Sequence, residues 1–198
     1  MTDEHQTEAR NIGRPRSAGA KQSILSATRA LLLQRGYARL TIEAVAARAG
    51  VSKATIYRWW SGKGELVLEA ASPEISIGVV PDTGDSIADI DAAIGQLIDT
   101  FSCPLASIVI FAAITAGGND PKMAQIFRDR YVYPWRASAH EALVRAKGRG
   151  EVAAEDIPFL LDLIVGTVFQ RTLVVKQPMT EGLKANLLRV VFGHAQRV

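Results

Sequence analysis

Residues 40–63 read LTIEAVAARAGVSKATIYRWWSGK. Two short helical patterns flank Ala49-Gly50-Val51, with Thr41 placed to cap the first and Ser52 to cap the second. Ile42, Val45, Ala46, Val51 and Ile56 are spaced so that two helices can bury them against each other at a steep angle. Gly50 supplies the residue that can take a positive φ in a three-residue turn. This pattern predicts a helix-turn-helix. Its second helix carries the small, polar and aromatic side chains of a DNA reader.

Outward from that unit, charge divides the chain. Residues 1–66 hold eleven Lys or Arg against five Asp or Glu, a net +6, while 67–198 are net −3. A basic small domain on a mildly acidic larger one points to a polyanion for the first and a different partner for the second. A hydrophobic fraction of 48% supports a sizeable core and argues against disorder. No apolar run approaches the ~18–20 residues of a membrane span, and the polar N-terminus lacks the apolar region of a secretory signal. Cys103 is the single cysteine and has no intrachain disulfide partner, so the expected compartment is the reducing cytoplasm, without membrane association.

Residues 1–17 are expected to be a flexible basic arm. Arg14 and Arg16, in Gly13-Arg14-Pro15-Arg16, suit insertion into a minor groove; an unstructured leader with incidental charge is the alternative. Residues 20–35 form a helix with Ile24, Ala27, Leu31 and Leu32 on one stripe, ended by Gly36. The reading helix spans about residues 52–59. Lys53, Ala54 and Thr55 lie in its first turn, the part that meets base edges in helix-turn-helix docking. Lys53 can donate to guanine or to phosphate, Thr55 can bond either base type, and Ala54 leaves room for close approach. Tyr57, Trp59 and Lys63 can reach the sugar-phosphate backbone; Trp60 is assigned to core.

The stretch resembles the DNA-binding domain of the tetracycline-repressor (TetR) family of bacterial transcription regulators. The resemblance rests on Gly36-Tyr37, Leu40-Thr41, residues 42–46, Arg48-Ala49-Gly50-Val51-Ser52, Thr55, Tyr57, Trp59-Trp60, Lys63 and Leu66, and covers roughly residues 20–67. It implies that Thr41, Ser52, Tyr57 and Lys63 contact the DNA backbone, and that Lys53, Ala54 and Thr55 lie nearest the bases. Ala54 stands where many members have glycine or another small residue, and Trp59 where many have His or Tyr.

The expected fold is all-α, with a helix-turn-helix domain at 18–66 and a larger regulatory and dimerisation domain at 67–198. Ser61 is placed as the cap of a fourth helix ended by Pro73, and 73–85 as a connector. Beyond it, Ser86-x-x-Asp89 opens a helix that buries Ile87, Ile90, Ile94, Leu97 and Ile98. Residues 104–116 are apolar nearly all round and belong at the centre. A helix through 121–146 must kink or divide at Pro134. Residues 157–175 and 180–196 supply two more.

No catalytic or metal constellation is visible. His5, His140 and His194 lack ligand spacing, and neither a P-loop nor a dinucleotide fingerprint is present. No cofactor is expected. Phe101, Phe111, Thr115, Met123, Phe127, Tyr131 and Trp135 have the side-chain types of a pocket for a largely apolar molecule, and equally those of plain core. The family resemblance favours an inducer pocket. Val165, Val168, Phe169 and Leu173, with Leu187 and Val191, give the last two helices more apolar surface than one core face needs, and are expected to form a homodimer interface. Pairing would set two readers about one helical turn (~34 Å) apart on a palindromic operator. The expectation is therefore a ligand-responsive repressor. Its rivals are a DNA-binding regulator with no ligand and, more remotely, an enzyme on a helical scaffold.

Overall fold

The computed structural model describes residues 15–115, 120–152 and 156–193, and every regular element among them is helical. The first helix, α1, covers Pro15–Arg35. It starts earlier than the sequence suggests, at a proline whose fixed φ suits a first helical turn. Residues 15–17, assigned to the arm, therefore open a helix. Arg16 lies in that first turn, and Arg14 falls outside the described residues.

Helices α2 (Ile42–Ala49) and α3 (Lys53–Tyr57) form the helix-turn-helix. Thr41 Oγ1 accepts the Ala44 N–H at 3.1 Å, and Ser52 Oγ accepts the Thr55 N–H at 3.2 Å. Gly50 ends α2 at φ 67, where its N–H meets carbonyls of the last turn. Ile24, Leu32, Leu40, Val45 and Ile56 are fully enclosed between α1 and this pair. Arg58 already belongs to a turn, so the reading helix is shorter than 52–59.

Helix α4 (Lys63–Ala71) passes straight through the expected domain boundary at 66/67, and Leu66 to Leu68 on it are buried. Ser61 does not cap it. The direction is reversed: the Ser61 N–H and hydroxyl both donate to Glu65, at 2.9 and 2.7 Å. Pro73 lies in a 3-10 turn, Ser72–Glu74. An extended strap follows, with Ile75 and Val80 buried. Its backbone N–H groups find side-chain acceptors: Ser76 on Thr100, Gly78 on Gln96, Val80 on Ser138 and Thr83 on Asp89.

The body comprises α5 (Ser86–Ser102), α6 (Pro104–Thr115), α7 (Pro121–Phe127), α8 (Tyr133–Gly148), α9 (Ile157–Phe169) and α10 (Glu181–Phe192). Asp85, rather than Ser86, caps α5, accepting from the Ile87 and Ala88 N–H groups. Asp89 is buried and turned towards the strap, where the Thr83 hydroxyl donates to it at 2.7 Å. Ile87, expected inside, is 43% exposed. The division near Pro134 is a π turn at Arg128–Val132, closed by the Tyr133 N–H on the Arg128 carbonyl. Proline at 134 removes a donor from the following turn, and one extra residue per turn absorbs the mismatch. A second π turn, Gln170–Val174, ends α9.

Two expectations change here. Phe111 and Ile114 on the otherwise central α6 are about half exposed. The segment Ile157–Val174 is, by length and composition alone, long and apolar enough to cross a membrane, although no such run was expected. One side of α9 packs on α5 and α8.

Candidate nucleic-acid interface

The two caps fix what the reader presents. Thr41 and Ser52 use their hydroxyls to terminate α2 and α3, leaving the N-terminal turn of α3 pointing outward. Lys53 and Ala54 are exposed there, and Tyr57 is 53% exposed one turn later. Thr55 is half-buried, its hydroxyl 3.0 Å from that of Ser52. These residues and Thr41 share one outward region of the small domain.

Its electrostatics are not those of free cations. The Lys53 ammonium lies 3.0 Å from Glu43 of α2. A backbone hydrogen bond at Glu43 itself, and then Lys53, hold that carboxyl below its ordinary value. Lys63 is half-buried against Tyr37. It donates to the Tyr37 carbonyl at 3.2 Å and sits 4.1 Å from the centre of the Tyr37 ring. Burial lowers its pKa, with Asp120 working against that. Trp59 is half-buried, edge-on to Trp60 at 5.6 Å, so packing takes most of its surface. Arg58 is exposed, its guanidinium 5.3 Å from the Trp59 ring centre. Its signal in the sequence is a basic residue set between Tyr57 and Trp59 at the end of the reading helix.

The reader is joined to the body through α4. Glu69 accepts from Trp60 Nε1 at 2.6 Å and pairs with Lys21 of α1 at 2.7 Å. Burial works to raise its pKa, and these two partners together with the charge of Arg130 outweigh it and bring the value below ordinary. The Arg29 guanidinium donates to the Ala70 carbonyl at 2.6 Å. From the body, Asp120 accepts the Tyr37 hydroxyl at 3.3 Å, and Lys122 donates to the Ser61 hydroxyl at 2.6 Å. Tyr37 is pushed up to about 12, first by burial and then by Asp120.

The seven residues assigned to a pocket do not gather in one place. Phe101 and Phe111 line a groove of about 740 Å³ with Ile108, Thr172, Leu173 and Met179. Thr115 bonds back to the Phe111 and Ala112 carbonyls, at 2.7 and 3.5 Å, on an exposed helix end. Met123, Phe127, Tyr131 and Trp135 are core residues, none more than 7% exposed. Two of these four retain polar atoms without a partner, the Tyr131 hydroxyl and the Trp135 indole N–H.

The residues assigned to a subunit interface divide by burial. Val168, Leu187 and Val191 are buried inside the subunit, at 0, 5 and 3% exposure, and Phe169 packs edge-on against Phe101. Val165 and Leu173 are half-buried. The outward apolar side of the same helices carries Phe159, Leu163 and Val190, at 58, 40 and 58% exposure. Both sides of α9 are apolar, so the sequence did not distinguish inner from outer.

Comparison with known proteins agrees with this architecture. Residues 24–70 match the family described as bacterial regulatory proteins, tetR family, and residues 80–191 match the tetracyclin repressor-like C-terminal domain. The uncharacterized HTH-type transcriptional regulator YdeS of Bacillus subtilis is 36% identical over 93% of both chains. The DNA-binding transcriptional repressor TetR of Mycobacteroides abscessus is 28% identical, over 89% of this chain and 91% of that one. The crystal structure of the TetR family regulator SCO0332 superposes with a TM-score of 0.60 at 31% identity, covering 86% of this chain and 94% of that chain. The chain belongs to the tetR family of bacterial regulatory proteins and is a DNA-binding transcriptional regulator.

Proposed function

We propose that this regulator is a repressor that binds a palindromic operator as a homodimer in the cytoplasm and is released by a small molecule. It acts by binding and carries out no chemical step. The observation that carries the reading is the outward first turn of α3, where Lys53 and Ala54 are exposed and Tyr57 follows. Lys53, Ala54 and Thr55 face the bases; Thr41, Ser52, Tyr57 and Arg58 serve the phosphates.

Pairing follows from docking geometry, because a single helix-turn-helix makes few base contacts and two-fold symmetry doubles them. Phe159, Leu163 and Val190 supply the apolar surface for it. Support for a ligand comes from the Tyr131 hydroxyl and the Trp135 indole N–H, buried donors with no acceptor. Such groups are costly to leave unpaired, and a largely apolar molecule with an acceptor would satisfy them. Release requires unequal binding to the two states of the dimer, since equal binding shifts no equilibrium.

Selection of genomic DNA fragments by the purified protein should recover a palindrome. Against that operator, Thr55→Ala should reduce discrimination from random DNA, whereas Arg58→Ala should weaken both about equally and flatten the salt dependence. Recovery of fragments with no common two-fold motif would overturn the reading.

A further inference from the structure

The groove at the outer end of α6 is separate from Tyr131 and Trp135, neither of which lines it. Its apolar walls are Phe101, Ile108 and Phe111 on one side and Leu173, Pro178 and Met179 on the other. At about 740 Å³ it falls within the ~300–1,000 Å³ typical of small-molecule sites. We propose that it is a second binding site, for an amphipathic monocarboxylate whose apolar body lies on Phe101 and Phe111 and whose head meets Lys176.

Three observations fix that chemistry. Lys176 is the one charged residue lining the groove, and it has no ion-pair partner among the described residues. No carboxylate lines the groove to oppose an anion. Thr172 also lines the groove, and its hydroxyl is buried without a partner. The lysine is held there by the fold. It sits at φ 55, in the left-handed region that non-glycine residues seldom adopt. The turn around it is closed by the Val175 N–H on the Gln170 carbonyl and the Gln177 N–H on the Arg171 carbonyl, both at 2.9 Å. Arg171 donates to the Gln177 side chain at 2.7 Å, adding positive charge to the same turn. A single lysine in the lining suits one negative charge.

The site has a route to the reader. Helix α6, which forms one wall, packs on both α1 and α4. An occupant pressing on Ile108 and Phe111 bears on the helix against which the DNA-binding domain rests.

The test is calorimetric titration of the full chain with decanoate and 4-phenylbutyrate, each beside its neutral amide. The carboxylates should bind at least about tenfold more tightly than the amides, the worth of one charge-assisted hydrogen bond. Lys176→Met should remove that difference, Phe111→Ser should weaken acid and amide alike, and Tyr131→Phe should change neither. Lys176 and Phe111 are exposed, so both variants should melt as the parent does. Equal binding of acid and amide, no binding of either acid, or full carboxylate affinity in the Lys176→Met variant would overturn the proposal. Operator affinity without ligand should be the same in the Lys176→Met variant, which separates this site from the reader.

Discussion

Glu43 and Lys53 sit on successive helices of the reader with their charged ends 3.0 Å apart. Both are exposed, so the pair adds little to stability. In the proposed DNA complex its effect falls on binding: the lysine would exchange a carboxylate for a base edge or a phosphate, and Glu43 would repel the same phosphates. Glu43→Gln should therefore tighten binding to random DNA a few-fold and narrow the ratio between operator and random sequence, most visibly at low salt. Fluorescence anisotropy on both DNAs measures this; an unchanged ratio would mean that Lys53 does not read bases. Tyr37 gives a pH prediction. Its ordinary value is 10.0 and its folded value about 12. The folded state resists losing this proton, so the contribution is intact below pH 10 and is lost as pH rises towards about 12. Asp120 faces the hydroxyl and Lys63 lies over the ring. Urea denaturation across that window should show the parent losing more stability than Tyr37→Phe. Equal losses would refute the role of this hydroxyl.

At the scale of elements, α2 and α3 were legible because everything that defines them is local. Thr41, Gly50 and Ser52 act within a few residues of themselves. The start of α5 was nearly legible: the helix was placed correctly, but Asp85 takes the cap expected of Ser86, and Asp89 of the expected Ser86-x-x-Asp89 start is claimed by Thr83 of the strap. The π turns were not legible, since they depend on how a helix accommodates a proline or a packed neighbour. Nor was the destination of Lys63, whose partner at Tyr37 lies 26 positions back in the chain. Gly64 shows the same long-range dependence. A Cβ there would lie 2.6 Å from Met123 Cβ, where α4 meets α7. Gly64→Ala should force the two helices apart and cost about 1–3 kcal/mol of stability, read as a lower melting temperature. An unchanged melt would show that α7 yields freely.

For the whole molecule, the open matter in the sequence was which side of α9 faces outward. Val168 and Leu163 lie on the same helix with comparable hydropathy, yet one is at 0% and the other at 40% exposure. Only packing against α5 and α8 separates them. Leu163→Asp should thus yield a folded monomer by analytical ultracentrifugation, and operator affinity should fall by a hundredfold or more as paired contacts are lost (roughly 3 kcal/mol). Val168→Asp should instead prevent folding, since it buries an unpaired charge. A Leu163→Asp variant that remained dimeric would relocate the interface.

The course of α4 bears on how such regulators can be recombined. Its outer turns serve the reader through Glu69 and the Ala70 carbonyl, while Gly64 and its neighbours meet α7. A chimera that grafts another reading head here at residue 66 would cut through a helix and pair one parent's Tyr37 with another parent's Asp120. Exchanges that carry α1 to α4 together, with the facing positions 120, 122 and 123 at the start of α7, should keep both operator choice and ligand response. Exchanges of the helix-turn-helix alone should keep the first and lose the second.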